Sequence, residues 1–272
     1  MIVFPNAKIN IGLNIIEKRN DGFHNLVSCF YPIDWKDILE IVPSKQTTFS
    51  SSGLSIPGDS TSNLCLKAYY LLRQDFDIPE VSIHLHKVIP IGAGLGGGSS
   101  DAAFTIKLLN DIFQLNLSIQ QMEDYARKLG SDCAFFIRNK PLLAYGKGDK
   151  FKELALDLSN KKIVLINPNI HISTKEAYSG ISPNTIKFSH MKLLNEINFD
   201  EWRENLVNDF ENHLFESYPV MASIKSQLYD LGAVYASMSG SGSTVYGIFE
   251  NLPSLSFFEK KYLVKTTNLD VF

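Results

Sequence analysis

Cysteine is scarce in this sequence: Cys29, Cys65 and Cys133 stand far apart among 272 residues, with no CxxC pair. An odd, dispersed set argues against a disulfide framework and fits a reducing, cytoplasmic setting. Charge of one sign is lacking too. Twenty-six basic residues against 29 acidic leave a net charge of −3, without the basic excess of a nucleic-acid binder. No apolar run approaches the roughly 20 residues of a membrane helix. The apolar opening MIVFPNAKINIGLNII, broken by Lys8 and three Asn, has no basic leader and does not read as a signal peptide. Neither nucleic acid nor membrane is therefore expected as a partner, and no internal repeat marks a solenoid.

What is present is the composition of a globular protein, 44% hydrophobic and 20% charged, long enough for two domains of ordinary size. The expected division is 1–158 and 159–272, just ahead of the strand-like run IVLINP. Ile9, Ile11, Leu13 and Ile15 alternate with Lys8, Asn10, Gly12 and Asn14, which predicts a strand whose second face is polar and meets water or a polar cleft. RNDG at 19–22 is a turn signal. Strands are expected over 26–33, 38–42 and 81–85, and a helix over 63–74 with Leu64, Ala68, Leu71 and Leu72 on its apolar side. The serine-rich stretch 47–53 is a flexible loop or a polar edge strand. A helix is predicted from about 100 to 113, and Ser118 with Gln121 forms a capping box that opens the next. Ser173 with Glu176 has the spacing of a second box. Helices are expected over 204–215, 219–231 and near 253–262.

Between a strand and a helix lies Pro90–Ala103, PIGAGLGGGSSDAA. Five glycines within residues 92–98 leave little side-chain bulk, so a ligand can approach the backbone. Ser99, Ser100 and Asp101 fall where the helix begins, and the free N–H groups and positive dipole end of a first turn suit a phosphate. Asp101 reads as a favourable first-turn charge. A plain packing turn would cost roughly 0.5–1 kcal/mol per glycine in regular structure relative to Ala. A Walker loop requires Lys after its last Gly, where Ser99 stands. Gly92, Gly94 and Gly97 satisfy the dinucleotide pattern GxGxxG, but so dense a glycine run satisfies many patterns, and the acidic residue expected about 20 positions on is not suitably placed. The HRD and DFG of a protein kinase are absent. A dinucleotide-binding oxidoreductase and a nucleotide-binding module without catalysis remain alternatives. His84 and His86 form an HxH pair, too few ligands for zinc.

The glycine segment resembles that of the GHMP kinases, the family of galactokinase, homoserine kinase, mevalonate kinase and phosphomevalonate kinase. Further segments narrow the resemblance: PNAKIN at 5–10, RNDGFH at 19–24, NL and KA at 63–64 and 67–68, GSDCAFF at 130–136, NDFE at 208–211 and MSGSG at 238–242, all in family order. The branch they match acts on a cytidine diphosphate-linked methylerythritol. The resemblance implies an α/β (α+β) two-domain GHMP kinase fold, with a ribosomal-protein-S5-like N-terminal domain and a ferredoxin-like C-terminal domain. It implies an ATP-dependent transferase of the non-mevalonate isoprenoid pathway, or otherwise a mevalonate- or homoserine-type kinase of the same family. The N-terminal domain would carry the ATP loop and catalytic residues, the C-terminal one a wall of the substrate site and the SGSGS loop at 239–243.

Phosphoryl transfer requires alignment, charge neutralisation and a proton acceptor. By resemblance Asp132 is the base, although from spacing alone it reads as a turn aspartate. Lys8 is its electrostatic partner. Nucleotide contacts are expected from Asn63 and Leu64, from Pro90, Gly92, Ala93, Gly94 and Leu95, and from Gly96, Gly97, Gly98, Ser99 and Ser100; Asn63 equally reads as an N-cap. Substrate contacts are expected from Asn10, from Phe23 and His24 at the cytosine, from Tyr178 on the base's other side, and from Thr174, Gly240 and Ser241. Phe23 replaces the family's usual Tyr and Ser243 its common Pro. The implied cofactors are ATP and Mg²⁺, with no residue assigned to the metal. A monomer or weak homodimer is expected.

Overall fold

The computed structural model describes residues 1–183 and 199–269. The chain forms two compact units, neither a continuous half: Met1–Ala7, Trp35–Ile91 and Gly96–Lys140 make the first, and Lys8–Asp34, Gly92–Leu95 and Pro141–Phe272 the second. The expected 158/159 boundary falls inside the second unit.

The first unit holds a four-stranded sheet of β1 (Ile2–Val3), β4 (Ile38–Pro43), β6 (Val81–Lys87) and β5 (Thr48–Gly53), in that order. The serine-rich stretch is thus a polar edge strand, β5, parallel to β6. Val81, Ile83 and Leu85 are buried and alternate with half-buried Ser82, His84 and His86, as a one-sided strand must. The helices are α1 (Leu64–Arg73), α2 (Gly97–Phe113), α3 (Ile119–Leu129) and α4 (Phe135–Arg138). Asn63 caps α1, accepting from the Cys65 N–H at 2.8 Å. Helix α1 buries Cys65, Leu66, Ala68, Tyr69 and Leu72, so its core face is rotated from the expected one, and Leu64 and Leu71 sit at its margin. The capping box of α3 is complete, with Ser118 and Gln121 each bonding the other's backbone.

The second unit holds two sheets. One orders β2 (Asn6–Lys18), β3 (His24–Lys36), β7 (Leu142–Gly146) and β8 (Lys150–Glu153). The other orders β10 (Tyr235–Met238), β11 (Val245–Phe249), β9 (Lys162–Asn167) and β12 (Leu263–Asn268), antiparallel throughout. Its helices are α5 (Thr174–Ser179), α6 (Trp202–Asn205), α7 (Glu211–Ser217), α8 (Pro219–Asp230) and α9 (Ser256–Glu259). The succession β9, α8, β10, β11, α9, β12 is the ferredoxin-like β-α-β-β-α-β path. Ile224 and Leu228 of α8 and Phe258 of α9 bury against Val164, Ile166 and Val245 of the sheet. The single helix expected over 204–215 is two, α6 and α7, parted by Leu206–Phe210. At Ser173 the box is half made: Ser173 accepts from the Glu176 N–H, but the Glu176 carboxylate accepts instead from the Tyr218 hydroxyl at 2.6 Å.

Candidate active site

The polar face of β2 is buried rather than wetted: Lys8 is 3% exposed, Asn10 2% and Asn14 1%. Buried polar groups require partners, and each has them. The Lys8 ammonium donates to Asn10 Oδ1 and lies 4.6 Å from the centre of the Phe30 ring. Asn10 Nδ2 donates to Ser28 Oγ at 2.8 Å, which donates to the Gly12 carbonyl at 2.6 Å. The Asn10 N–H donates to Ser239 Oγ at 3.2 Å, and that hydroxyl donates to the Gly94 carbonyl at 2.8 Å. The Lys8 N–H donates to the Leu95 carbonyl at 2.9 Å. Lys8, Asn10, Gly94, Leu95 and the SGSGS loop are thereby one assembly.

Contact here is close enough to exclude side chains. Gly94 has φ 78°, and a Cβ on it would stand 1.9 Å from the Ser239 carbonyl oxygen. Gly240, at φ 55°, lies against the Gly94 carbonyl and Asn10 Oδ1. Ser241 is half-buried beside it.

The NDFE segment, noted in sequence without a role, braces this loop. Asn208 Nδ2 donates to the carbonyls of Met238 and Gly240 at 2.7 and 2.8 Å. Asp209 accepts from the Ile15 N–H at 2.8 Å and Asn14 Nδ2 at 3.2 Å. Glu211 accepts from the Met238 N–H, Ser237 Oγ and Lys225 Nζ. An amide and two acids within a predicted helix are the available signal; their partners lie too far along the chain to be read.

Tyr178 stacks on His24, with ring centres 4.7 Å apart and planes at 22°, and meets Phe210 edge-on. Burial, helped by Lys18, lowers the His24 pKa, which favours a neutral ring able both to donate and to accept. Phe23 is 54% exposed, with Lys147 Nζ 4.8 Å from its ring centre. Thr174 is the first residue of α5.

In the first unit α2 starts three residues before the sequence suggested, inside the glycines. Its N-cap, Gly96, has φ 70° and offers no capping side chain, so the first-turn N–H groups of Gly97, Gly98 and Ser99 keep their donors for an anion. Leu64 packs beside Gly98. Asp132 occupies the turn between α3 and α4 and is half-buried. The adjacent Cys133 is fully buried against Gly130, and burial raises its thiol pKa to about 12, as expected of an apolar filler. Asp101 departs from its expected role. It is 3% exposed and bonded to Lys87, not a solvated first-turn charge. An uncapped helix start in a glycine cradle fits nucleotide phosphates. Among the described residues no cluster of three or more His, Cys, Asp or Glu gathers as a metal site. Nor is any described helix long and apolar enough to cross a membrane.

The family of GHMP kinases N-terminal domains matches residues 63–140, and that of GHMP kinases C-terminal domains residues 191–262. The chain is 58% identical over 254 residues to 4-diphosphocytidyl-2-C-methyl-D-erythritol kinase of Cytophaga hutchinsonii, covering 93% of this chain and 94% of that one. Its identity to the protein of that name from Bacteroides thetaiotaomicron is 52%, covering 92% of each. The crystal structure of a 4-(cytidine 5′-diphospho)-2C-methyl-D-erythritol kinase aligns with a TM-score of 0.79 at 26% identity, over 98% of both chains. Mevalonate kinase of Methanococcus jannaschii aligns with a TM-score of 0.70 at 17% identity, covering 98% of this chain and 97% of its own, and so shares the fold.

Proposed function

The chain belongs to the GHMP kinases, and on that premise we propose that it transfers the γ-phosphoryl group of ATP to the 2-hydroxyl of 4-diphosphocytidyl-2-C-methyl-D-erythritol, a step of the non-mevalonate isoprenoid pathway. The observation that carries the reading is the glycine segment 92–98, whose Gly94 has no room for a side chain and which opens α2 without a capping side chain. Phosphates would sit on the N–H groups of Gly97–Ser99, flanked by Asn63 and Leu64. Mg²⁺, bound with the nucleotide, neutralises charge on the phosphates. Asp132 takes the proton of the substrate hydroxyl, and the Lys8 ammonium offsets negative charge on the transferred group. Asn10, held by Ser28 and Ser239, fixes the Lys8 head and contacts substrate with Gly240 and Ser241.

Phe23, His24, Thr174 and Tyr178 receive the cytidine: rings for stacking, and a neutral imidazole for the base edge. A monomer or weak homodimer in the cytoplasm completes the reading. The test is a coupled ADP-release assay with the cytidylyl substrate, mevalonate and homoserine offered separately. Turnover with the first alone is expected; turnover only with mevalonate or homoserine would refute the assignment.

A further inference from the structure

Beneath the glycine segment lies a buried charged cluster that the phosphoryl-transfer roles leave unused. Lys87, the last residue of β6, continues the inward phase of Val81, Ile83 and Leu85 and is 3% exposed. Its ammonium donates to Asp37 Oδ2 at 2.5 Å and to Asp101 Oδ2 at 2.6 Å. Asp37 is fully buried in the corner between β3 and β4, and its Oδ1 accepts from the N–H groups of Val88 and Ile89 at 2.6 and 2.8 Å. Those two residues lead directly into the glycine segment. Asp101 belongs to the second turn of α2. One cluster therefore ties the strand end before the phosphate turn to the helix after it. It also lies against the turn itself: a Cβ on Gly97 would stand 3.0 Å from Lys87 Nζ.

The charges do not balance. One ammonium and two carboxylates leave one negative charge in a dry setting, next to the donors that are to receive a triphosphate. Asp37 uses both oxygens, with three donors between them. Asp101 does not: its Oδ1 is buried and has no hydrogen-bond partner among the described residues, which is costly for an ionised group. The titratable groups facing Asp101 are Lys87 from β6, Asp37, and from α1 the Cys65 thiol, itself raised mainly by burial. Helix α3 turns its buried acid, Glu123, to Arg127 and Arg138 instead.

We propose that Asp37, Lys87 and Asp101 form a positioning device under the phosphate-binding turn, and that Asp101 gains a proton from solvent as the triphosphate binds. Lys87 and Asp37 set the direction of the N–H groups of Gly97–Ser99, and the proton removes the surplus negative charge beneath them. The direction agrees with the state of the free protein, in which burial, opposed by Lys87 and reinforced by Asp37, raises the Asp101 pKa to about 7. Added phosphate charge raises it further.

The inference rests on reading this turn as the ATP site. The experiment titrates the full chain with MgATP at pH 8 in a calorimeter, in two buffers of different ionisation enthalpy. About half a proton or more is expected to be taken up by the wild type, and less than about one-fifth of a proton by Asp101→Asn. Absence of ATP binding would overturn the nucleotide reading and the device with it. Binding without proton uptake, or with equal uptake in the variant, would overturn the device alone. A second measurement requires no variant: between pH 7 and 9 the KM for MgATP should rise at least about fivefold, while that for the second substrate stays level. A KM for MgATP that is flat over this range also overturns the device.

Discussion

Asp132 and Tyr178 carry the two halves of the proposed reaction, chemistry and recognition. Asp132→Asn keeps the shape of the turn between α3 and α4 and removes only the proposed proton acceptor. It is expected to lower kcat by about 10²–10⁴-fold while ATP still binds in equilibrium dialysis; near-normal turnover would remove Asp132 from the role. Tyr178→Ala deletes a ring that already stacks on His24. Base stacking on an aromatic is worth about 1–3 kcal/mol, so KM for the cytidylyl substrate should rise roughly 5–150-fold, and KM for ATP should not. A rise in both would mean that the ring supports the fold through Phe210 rather than the base. Residue roles of this kind were legible only where a side chain sat in a recognisable segment. Lys87 did not, although a charge in the inward phase of an otherwise apolar strand was a signal in plain view.

At the scale of elements, periodicity located most strands and helices and failed where backbone groups bond to distant partners. Glycine is a poor helix former, so the expected start of α2 falls three residues late, although at Gly97 any Cβ would press on the Lys87 and Ile89 side chains at 3.0 Å. The helix expected over 204–215 breaks at Asn208 and Asp209, whose bonds reach Met238, Gly240 and Ile15. No local pattern encodes such a brace. It also has a measurable cost. Asn208→Ala removes a donor from the carbonyls of Met238 and Gly240 and the acceptor for the Phe210 N–H, at roughly 1–3 kcal/mol for each buried group left unpaired. The midpoint of urea unfolding should fall by an amount equal to about 3 kcal/mol, with the slope unchanged. An unshifted midpoint would show that Asn208 does not hold the loop.

For the molecule as a whole, the buried cluster sets a pH dependence of stability that runs against the usual carboxylate trend. Exposed acids such as Asp21, whose hydrogen bond with Arg19 lowers its pKa, favour the folded chain as pH rises through the acid range. Asp101 does the opposite. Its folded pKa of about 7 lies above the unfolded value of about 3.9, so between these values the native state holds a proton that the unfolded chain has released. Its stabilising share is complete below about pH 4, declines as pH rises toward 7, and is absent above that. The decline is at most about 1.4 kcal/mol per pH unit. Asp101→Asn cannot titrate, so the variant should gain stability relative to the wild type on going from pH 4.5 to 7, by a few kcal/mol at the upper bound. Urea unfolding of both proteins at the two pH values reads this difference directly, and the exposed acids, common to both, cancel. A constant difference would mean that Asp101 stays ionised throughout, and that Lys87 alone offsets the two buried aspartates.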